Sequence, residues 1–379
     1  MSTWSCEVCT LVNPTSLNEC DACNTPQPGK NSLMSFLPRV STCKACKQPI
    51  FSAMIKALNE TYHATCFRCA ACQQGFDNSM RFQVHENEPY HSQCYRELYH
   101  PRCDICEERL PTNSSELIVY QEMPFWNLKY CAIHSQRDRC CSCKRIEPTA
   151  IHRQFDSLSD GRKLCLGCSE TVILDTTEVQ PVVAEVWAFL ASLGMHVPKL
   201  PVLLVDFETL NAHTHSHHSN LPRDARVPTV YGVCLSEVRY IRHIAKRGQQ
   251  ERMSLSDRRV NAILLLHGLP YEMTAYILAH EATHAYLRLN SRFPPHLPPK
   301  IEEGMCQLMS FLYLRYKTVM ANDSSPNFQA SLRAYYLFQL QNDPTPIYGD
   351  GLREALMAYN TYNSLQQLLD RIAMTQTFG

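Results

Sequence analysis

The sequence predicts a multidomain protein in which several small metal-binding modules precede a larger C-terminal α+β domain. Of its 20 cysteines among 379 residues, 18 lie before residue 169, mostly as C-x-x-C pairs. The cysteine-poor remainder alternates between helix-like and strand-like apolar patterns. This C-terminal part also contains the segment H-E-x-x-H at residues 280–284. Zinc is therefore the expected cofactor along the whole chain.

The composition argues against several classes of function. Lys plus Arg equal Asp plus Glu, at 36 each, so no net field attracts nucleic acid or an anionic membrane. The first residues, MSTWSCEVCT, lack the apolar core of a signal peptide, and no stretch approaches the ~18–20 consecutive apolar residues of a membrane span. We therefore expect an intracellular protein, cytoplasmic or also nuclear, with neither a nucleic-acid nor a membrane partner. In a reducing compartment, C-x-x-C pairs mixed with His indicate zinc ligands and not disulfides.

The first predicted module is a small zinc-ribbon finger at residues 1–28. It is too short to hold a core without its metal. Trp4 is expected to pack across the site, and Asn13 to tie the intervening turn. The pattern W-x-C-x2-C-T-x3-N-x6-C-x2-C resembles the NZF (RanBP2-type) zinc finger. The four expected ligands are Cys6, Cys9, Cys20 and Cys23.

The NZF resemblance implies a binding module. One branch of that family binds ubiquitin through a Thr and an apolar residue after the second Cys, which are Thr10 and Leu11 here. Another branch binds single-stranded RNA and needs Arg and stacked aromatic side chains. This finger has no Arg, and its only aromatic residue is Trp4. We therefore favour ubiquitin as the ligand over RNA, and over a finger that only folds itself.

A Pro- and Ser-containing linker is predicted at residues 29–41, followed by a module at residues 42–99. The spacing C-x2-C-x16-H-x2-C-x2-C-x2-C-x18-H-x2-C provides eight ligands for two zinc ions and resembles a LIM domain. Phe67 lies between the two sites and is expected to pack between the two zinc-binding halves of the module. LIM domains are interaction modules, and closed four-ligand sites imply no catalysis. The expected ligands are Cys43, Cys46, His63, Cys66, Cys69, Cys72, His91 and Cys94.

A degenerate LIM-like module is predicted at residues 100–170, with a longer first loop. Cys141 is left over and could take the place of Cys140 as a ligand. A partly metal-free module is the alternative, because the spacing is irregular. The expected ligands are Cys103, Cys106, Cys131, His134, Cys140, Cys143, Cys165 and Cys168.

The rest of the chain, residues 171–379, is predicted to be an α+β domain with helices around its site. Pro and Gly bound a helix at 181–194, and strands are expected at 200–208 and in the run 262–270. Further helices are expected around H-E-x-x-H, after Pro298 and Pro299, and at 326–342 and 351–374. Cys234 and Cys306 are expected to be core thiols. The His-rich segment 213–218 is interpreted as a solvated loop and not as a metal site.

The segment H-E-x-x-H predicts a catalytic zinc site. His280 and His284 are four residues apart and therefore lie on one helical face. Glu281 is rotated away from the metal and can act as the general base. Separated from His284 by eighteen residues, Glu303 provides a third ligand in the first turn of the next helix. Glu302 competes for that role but is better interpreted as a supporting carboxylate.

H-E-x-x-H-x18-E followed by Gly304 resembles the gluzincin metallopeptidases. The resemblance implies zinc-assisted hydrolysis of a peptide bond, with Glu281 taking a proton from the attacking water. It also implies that an edge strand before the helix pairs with extended substrate, a role to which the run 262–270 is suited. Tyr348 is a candidate donor to the oxyanion, and a packed loop tyrosine is the alternative interpretation.

From Cys43 onward the chain resembles the plant organ-size-regulating, ubiquitin-activated LIM peptidases. The segments that carry the resemblance are CYRELYHPRCDIC, PFWNLKYC, RCCSC, LSDGRKLCLGC, ILAHEATHA, EEGMCQ and PIYGDG. It implies a zinc endopeptidase that cleaves regulatory proteins and is activated by ubiquitin, with ubiquitin ligases as further candidate partners. About six zinc ions are expected, of which one is catalytic. The alternative is a non-catalytic adaptor that binds ubiquitin through its finger and other proteins through its LIM domain.

Overall fold

The computed structural model describes residues 3–28, 41–77, 81–115, 117–214, 230–243, 252–321 and 327–379. The chain divides into two compact units, Met1–Pro101 and Arg102–Gly379. All but one residue of the predicted linker 29–41 lies outside the described residues. Within the described ranges, no helix has the length and apolar composition needed to cross a membrane.

The first unit consists of short antiparallel hairpins around Cys and His side chains. Strand β1 (Thr3–Ser5) pairs with β2 (Val12–Pro14), β3 (Met54–Ala57) with β4 (Glu60–His63), and β5 (Phe82–His85) with β6 (Glu88–His91). Helix α1 spans Ser92–Tyr99. Hairpins this small bury little apolar surface, so their stability depends on the side chains that they gather.

Two small aromatic cores lie beside these Cys and His groups. Trp4 is buried against Cys6 and Cys20, as predicted. The Asn13 side chain joins the Leu11 carbonyl and the Asp21 amide, each at 3.1 Å, which ties the turn as predicted. Phe67 is also buried, and it packs against three aromatic rings with centroids 5.0–5.3 Å away, those of Tyr62, Phe76 and Phe82.

One backbone turn recurs after six C-x-x-C pairs of the described chain. The residue after the second Cys has a positive φ of 56–63°, and its amide donates to the carbonyl of the first Cys at 2.8–3.1 Å. L-residues adopt this left-handed conformation at a cost of roughly 1 kcal/mol, so the turn is imposed by the two ligands that it presents. We call such a turn, from the first Cys to the left-handed residue, a knuckle. The left-handed residues are Thr10, Asn24, Lys47, Gln73, Glu107 and Lys144.

The second unit begins with short elements and continues into a sheet covered by helices. Its strands are β7 (Gln121–Met123), β8 (Leu128–Tyr130), β9 (Asp156–Ser157), β10 (Lys163–Leu164), β11 (Val172–Ile173), β12 (Val202–Val205), β13 (Gly232–His243), β14 (Arg252–Leu266) and β15 (Leu269–Pro270). Its α-helices are α2 (Leu166–Ser169), α3 (Gln180–Ser192), α4 (Phe207–Thr214), α5 (Tyr271–Leu289), α6 (Pro299–Met320), α7 (Phe328–Gln341), α8 (Gly349–Tyr362) and α9 (Leu365–Thr375). The mixed helix and sheet content predicted for the C-terminal region is confirmed.

The main sheet has the order β12-β14-β13. Strand β12 is parallel to β14, and β13 is antiparallel to it. The run 262–270 therefore forms the end of the central strand and the short β15, not the edge strand expected from the sequence. Side chains on both faces of this part of β14 are buried, since residues 262–266 are at most 8% exposed, and this explains the continuous apolar sequence AILLL. The edge strand on the side of α5 is β13.

The helix predictions were correct in type and less accurate at the boundaries. Helix α3 has Pro181 in its first turn, and Gly194 has a φ of +79° just beyond its end, as the sequence indicated. The stretch 351–374 is divided into α8 and α9, because Asn363 is left-handed and the Ser364 side chain caps the next helix. His213 lies in the last turn of α4 and not in a loop; residues 215–218 fall outside the described part of the chain.

Helix α5 lies at the centre of this unit. Of its 19 residues, 14 are buried, because it packs against the sheet on one side and against α6 on another. The core around it also includes Cys140, Cys143, Cys165 and Cys168. The LIM-like module and the C-terminal helices therefore share one continuous core within the second unit.

Candidate metal centres

Five groups of four Cys and His side chains converge in the described chain. Within each group the possible ligand atoms lie within 4.8 Å of one another, and all 20 cysteines are free thiols. The groups are Cys6, Cys9, Cys20 and Cys23; Cys43, Cys46, His63 and Cys66; Cys69, Cys72, His91 and Cys94; Cys103, Cys106, Cys131 and His134; and Cys140, Cys143, Cys165 and Cys168. The structure thus brings together the four members of each predicted set.

The geometry of these groups fits zinc. Sulfur atoms of Cys6 and Cys23 lie 3.4 Å apart, close to the ~3.8 Å expected for two thiolates on one tetrahedral zinc with bonds of about 2.3 Å. The Nδ1 atom of His63 lies 3.3 Å from the Cys46 sulfur, while its Nε2 atom faces the Pro49 carbonyl at 3.2 Å. A donor bond from Nε2 leaves Nδ1 free to bind a metal. These modules therefore bind zinc at several sites.

Electrostatics also favours a cation in these groups. Against the effect of burial, the backbone amides of Cys46 and His63 lower the pKa of the Cys43 thiol to about 6. The backbone amide of Cys72 does the same for Cys69, also to about 6. Adjacent thiolates repel one another unless a positive ion lies between them. In the fourth group, His134 is buried, and its Nε2 atom has no hydrogen-bond partner among the described residues.

The fifth group settles the position of Cys141 in the fold. Cys140 belongs to the group of four thiols, while Cys141 is buried outside it. The Arg145 guanidinium donates to the sulfur of Cys143 at 3.3 Å and to that of Cys165 at 3.0 Å. Arg145 also packs on the Trp126 ring, 5.1 Å from its centroid. This arginine supplies positive charge beside thiolates that would otherwise be buried with a net negative charge.

A different group of side chains lies between α5 and α6. The Oε2 atom of Glu303 is 3.1 Å from Nε2 of His280 and 3.4 Å from Nε2 of His284. Two ligands on one tetrahedral zinc with bonds of about 2.0–2.1 Å lie about 3.3–3.4 Å apart, so these three side chains fit the ion. Although burial opposes ionisation, the two imidazoles hold the pKa of Glu303 well below its usual range. Glu303 is the fifth residue of α6 and therefore lies beyond the first turn predicted for it.

Glu302 contacts the ring of His284 at Nδ1, the nitrogen that does not face Glu303. Nδ1 of His284 donates to Glu302 Oε1 at 2.8 Å, and Nε of Arg288 donates to the same oxygen at 2.9 Å. This arrangement leaves Nε2 of His284 facing Glu303. Arg288 is also held by the Cys234 carbonyl and the Ser236 hydroxyl, each at 3.0 Å. Arg288 was not predicted from the sequence, although its spacing of four residues from His284 places both side chains on one face of α5.

These residues open into a cavity of about 910 Å³. Glu281 lies on its wall, and Gly232 of β13 lies directly opposite, since a Cβ atom at Gly232 would be 2.9 Å from Glu281 Cγ. The edge strand can therefore approach Glu281 only because residue 232 has no side chain. The cavity is lined by Tyr231 and Tyr348, from β13 by Gly232, Val233 and Cys234, from α5 by Tyr276, Ile277, His280, Glu281 and His284, and from α6 by Glu302 and Glu303.

Two further side chains beside the cavity bear on its chemistry. Tyr348 immediately precedes α8 and lines the cavity. Burial and the nearby Glu303 raise its pKa above the ordinary value, so that the phenol keeps its proton and can donate. Cys306 is buried one turn after Glu303, and burial raises the pKa of its thiol to about 12. It is therefore a neutral thiol in the core, as predicted.

Comparison with known proteins shows similarity over most of the chain. The profile of the DA1-like family, described as Protein DA1, matches residues 192–375, and that of the LIM domain matches residues 43–99. The chain is 36% identical to Protein DA1-related 1 and 34% identical to Protein DA1, both of Arabidopsis thaliana. It is 35% identical to LIM domain-containing protein HDR3 of Oryza sativa subsp. japonica. Each comparison covers 89% of this chain and 66%, 68% and 73% of the respective relative, so the chain spans about two thirds to three quarters of their length.

Proposed function

Because this chain belongs to the DA1 family of LIM-domain proteins, we propose that it is a ubiquitin-binding zinc endopeptidase that cleaves regulatory proteins and is activated by ubiquitin. The single observation that carries the proposal is the convergence of His280, His284 and Glu303 at a cavity that also holds Glu281. A purely structural site would be closed by a fourth protein ligand and would not need this cavity.

In the proposed mechanism, His280, His284 and Glu303 would hold zinc, and the ion would supply Lewis-acid chemistry at the scissile peptide bond. Glu281 accepts a proton from the attacking water and then passes it to the leaving amine. Glu302 and Arg288 keep the His284 ring oriented. The Tyr348 hydroxyl donates to the oxyanion that develops on the carbonyl.

We propose the edge strand β13 as the binding surface for substrate. Among the described residues it pairs only with β14, so its other edge can accept an extended peptide. Gly232 places this edge directly against Glu281. The C-terminal domain, proposed to span residues 171–379, is then of the gluzincin type, and β13 takes the substrate-pairing role that was predicted for the run 262–270.

We propose that residues 1–28 form an NZF finger and bind ubiquitin. Thr10 and Leu11 are exposed, and the apolar side chains of Val8 and Val12 are 71% and 59% exposed beside them. An exposed apolar surface on so small a module favours a protein partner. The proposed location is the cytoplasm, or also the nucleus, because free thiolate sites require a reducing compartment.

Incubation of the purified protein with and without ubiquitin tests the proposal. Mass spectrometry should detect cleavage of a ubiquitylated substrate, or self-cleavage of the ubiquitylated protein, and 1,10-phenanthroline should abolish it. If no cleavage occurs under any of these conditions, the chain is a LIM-type adaptor.

Metal content is expected to be six zinc ions per chain, one in each group of four and one at His280, His284 and Glu303. Atomic absorption on the purified protein measures this number. A value of four or fewer would contradict the assignment of the LIM-like module.

Chelation is expected to unfold the first unit, because its zinc sites supply the folding free energy that its small cores lack. Circular dichroism measures the loss of structure.

Replacement of Leu11 by Ala is expected to weaken ubiquitin binding about tenfold, since an exposed apolar side chain at an interface contributes roughly 1–2 kcal/mol. Thr10→Ala should act in the same direction, and zinc should stay bound in both variants because neither residue is a ligand. Isothermal titration with ubiquitin measures the change. Ser16→Ala, an exposed residue of the same finger, is the matched control, and an equal loss in that variant would show that the finger has only been destabilised.

A further inference from the structure

One knuckle of the LIM-like module reaches the proposed active site. It consists of residues 140–144, and two of its three cysteines, Cys140 and Cys143, belong to the fifth metal-binding group. Between them, the Ser142 hydroxyl forms a 2.6 Å hydrogen bond with the hydroxyl of Tyr336 on α7. Both residues are buried. The knuckle is therefore fixed to α7 by this buried hydrogen bond.

The same connection continues to α5. The Tyr336 ring packs against that of Tyr276, with centroids 5.0 Å apart. Tyr276 lines the cavity and lies one helical turn before His280. The position of the knuckle is thus set relative to the helix that carries the proposed zinc ligands.

Lys144 extends from this fixed base to the opposite wall of the cavity. Its ammonium donates to the Cys141 carbonyl at 2.8 Å and to the Tyr231 hydroxyl at 3.2 Å. The charge-assisted hydrogen bond to the phenol oxygen favours one position of the Tyr231 side chain.

Tyr231 immediately precedes the edge strand β13. Its carbonyl accepts a hydrogen bond from the Leu266 amide at 2.9 Å, and the next residue is Gly232, where an added Cβ atom would lie 2.9 Å from Glu281 Cγ. A shift of Tyr231 would therefore change both the pairing of β13 with the central strand and the separation between the strand and Glu281.

We propose that Lys144 is a positioning residue that holds the edge-strand wall of the active-site cavity in place. Through this residue, a metal-binding module outside the cavity controls how substrate binds within it. The inference rests on the proposed function in treating the cavity as the substrate site. The contact between Lys144 and Tyr231 can nevertheless be tested without any cleavage assay.

The first test is amide hydrogen exchange on the zinc-loaded full chain. Lys144→Met removes the charge and keeps the length of the side chain. We expect the Leu266 amide and the backbone of residues 231–235 to exchange about fivefold faster, with residues 272–289 unchanged. Lys47→Met is the matched control, because Lys47 has the same left-handed position in a knuckle of the first unit. Unchanged exchange at Leu266 in Lys144→Met, or an equal change in Lys47→Met, overturns the proposal.

The second test is kinetic and uses fluorescein-labelled casein as a general proteinase substrate. Lys144→Met is expected to raise KM about fivefold while kcat stays within twofold, because the strand that binds substrate is loosened and the zinc ligands are not. Zinc content and the thermal midpoint should match those of the wild type, and Lys144→Arg should restore KM. A fall in kcat together with a lower thermal midpoint would indicate a merely structural role and overturns the proposal. If the wild-type protein cleaves nothing, the proposed function fails, and the exchange experiment alone decides the role of Lys144.

Discussion

Glu281→Gln is expected to retain its zinc and to lose about hundredfold or more in cleavage rate. Glu281 is not among the side chains that converge as ligands, whereas it lies on the cavity wall beside them. An amide cannot accept a proton from the attacking water, and removal of a general base costs 10²–10⁴-fold. The measurement is kcat on a ubiquitylated substrate, or the rate of self-cleavage, with zinc content determined on the same sample.

Three further variants separate the roles of neighbouring side chains. His284→Ala and Glu303→Ala are each expected to lose both the ion and the activity, because each removes one of the three proposed ligands. Glu302→Ala should keep zinc and much of the activity, since Glu302 only orients His284 and contacts Arg288. Loss of such a supporting partner weakens metal binding by about 10–100-fold. Excess zinc in the assay keeps the weakened site occupied.

Two outcomes would contradict these assignments in different ways. If Glu281→Gln cleaves at the wild-type rate, the site is structural and the adaptor interpretation replaces the peptidase. If Glu302→Ala loses zinc at all concentrations while Glu303→Ala retains it, the peptidase survives, and the third ligand is one residue earlier in α6.

Arg333→Met is expected to destabilise the second unit by about 3–5 kcal/mol. Arg333 on α7 pairs with Glu272 on the first turn of α5 at 2.5 Å, and the two side chains are only 5% and 8% exposed. Removing one partner leaves a buried carboxyl group without its counter-charge. This destabilises the fold more than replacing both partners by apolar side chains would. Chemical denaturation of the zinc-loaded protein measures the loss.

The matched control is Lys300→Met at an exposed ion pair of the same unit. Lys300 and Glu354 are also close, at 2.6 Å, but their side chains are 38% and 46% exposed, so the expected loss is below about 1 kcal/mol. Equal losses in the two variants would show that burial does not decide the effect.

The loss in Arg333→Met should also depend on pH. Burial already raises the pKa of Glu272, against the opposing effect of Arg333, and removal of the arginine raises it further. A carboxyl whose folded-state pKa is raised stabilises the fold below its unfolded pKa and loses that contribution as pH rises through the folded pKa. The difference between variant and wild type should therefore shrink as pH is lowered from 7 towards 5.

The sequence alone was sufficient for zinc as the cofactor, whereas the separate modules predicted at 100–170 and 171–379 share one core within the second unit. Ligand spacing is a local property of the chain. Two cysteines separated by two residues, or two histidines separated by three, direct both side chains towards one ion independently of the rest of the fold. Glycine and proline marked the ends of α3 for the same reason, since their backbone restrictions act within a few residues.

The arrangement of strands required the tertiary structure. The run 262–270 was correctly predicted to be extended, but an apolar run does not distinguish a paired central strand from an edge strand. Only the pairing of β12 and β13 on either side of β14 shows that β13 faces the cavity. Gly232 likewise gave no signal in the sequence, because its role is a close approach to Glu281, 49 positions later in the chain.

The sequence therefore determined which residues can bind zinc, and the tertiary structure decided what surrounds them. His280 and His284 are paired by the helix itself, while Glu303 joins them only because α6 packs against α5. The roles of Glu302, Arg288 and Lys144 depend on side chains from different elements meeting at 2.8–3.2 Å. Such contacts form when distant segments share one core, and no local pattern in the chain records them.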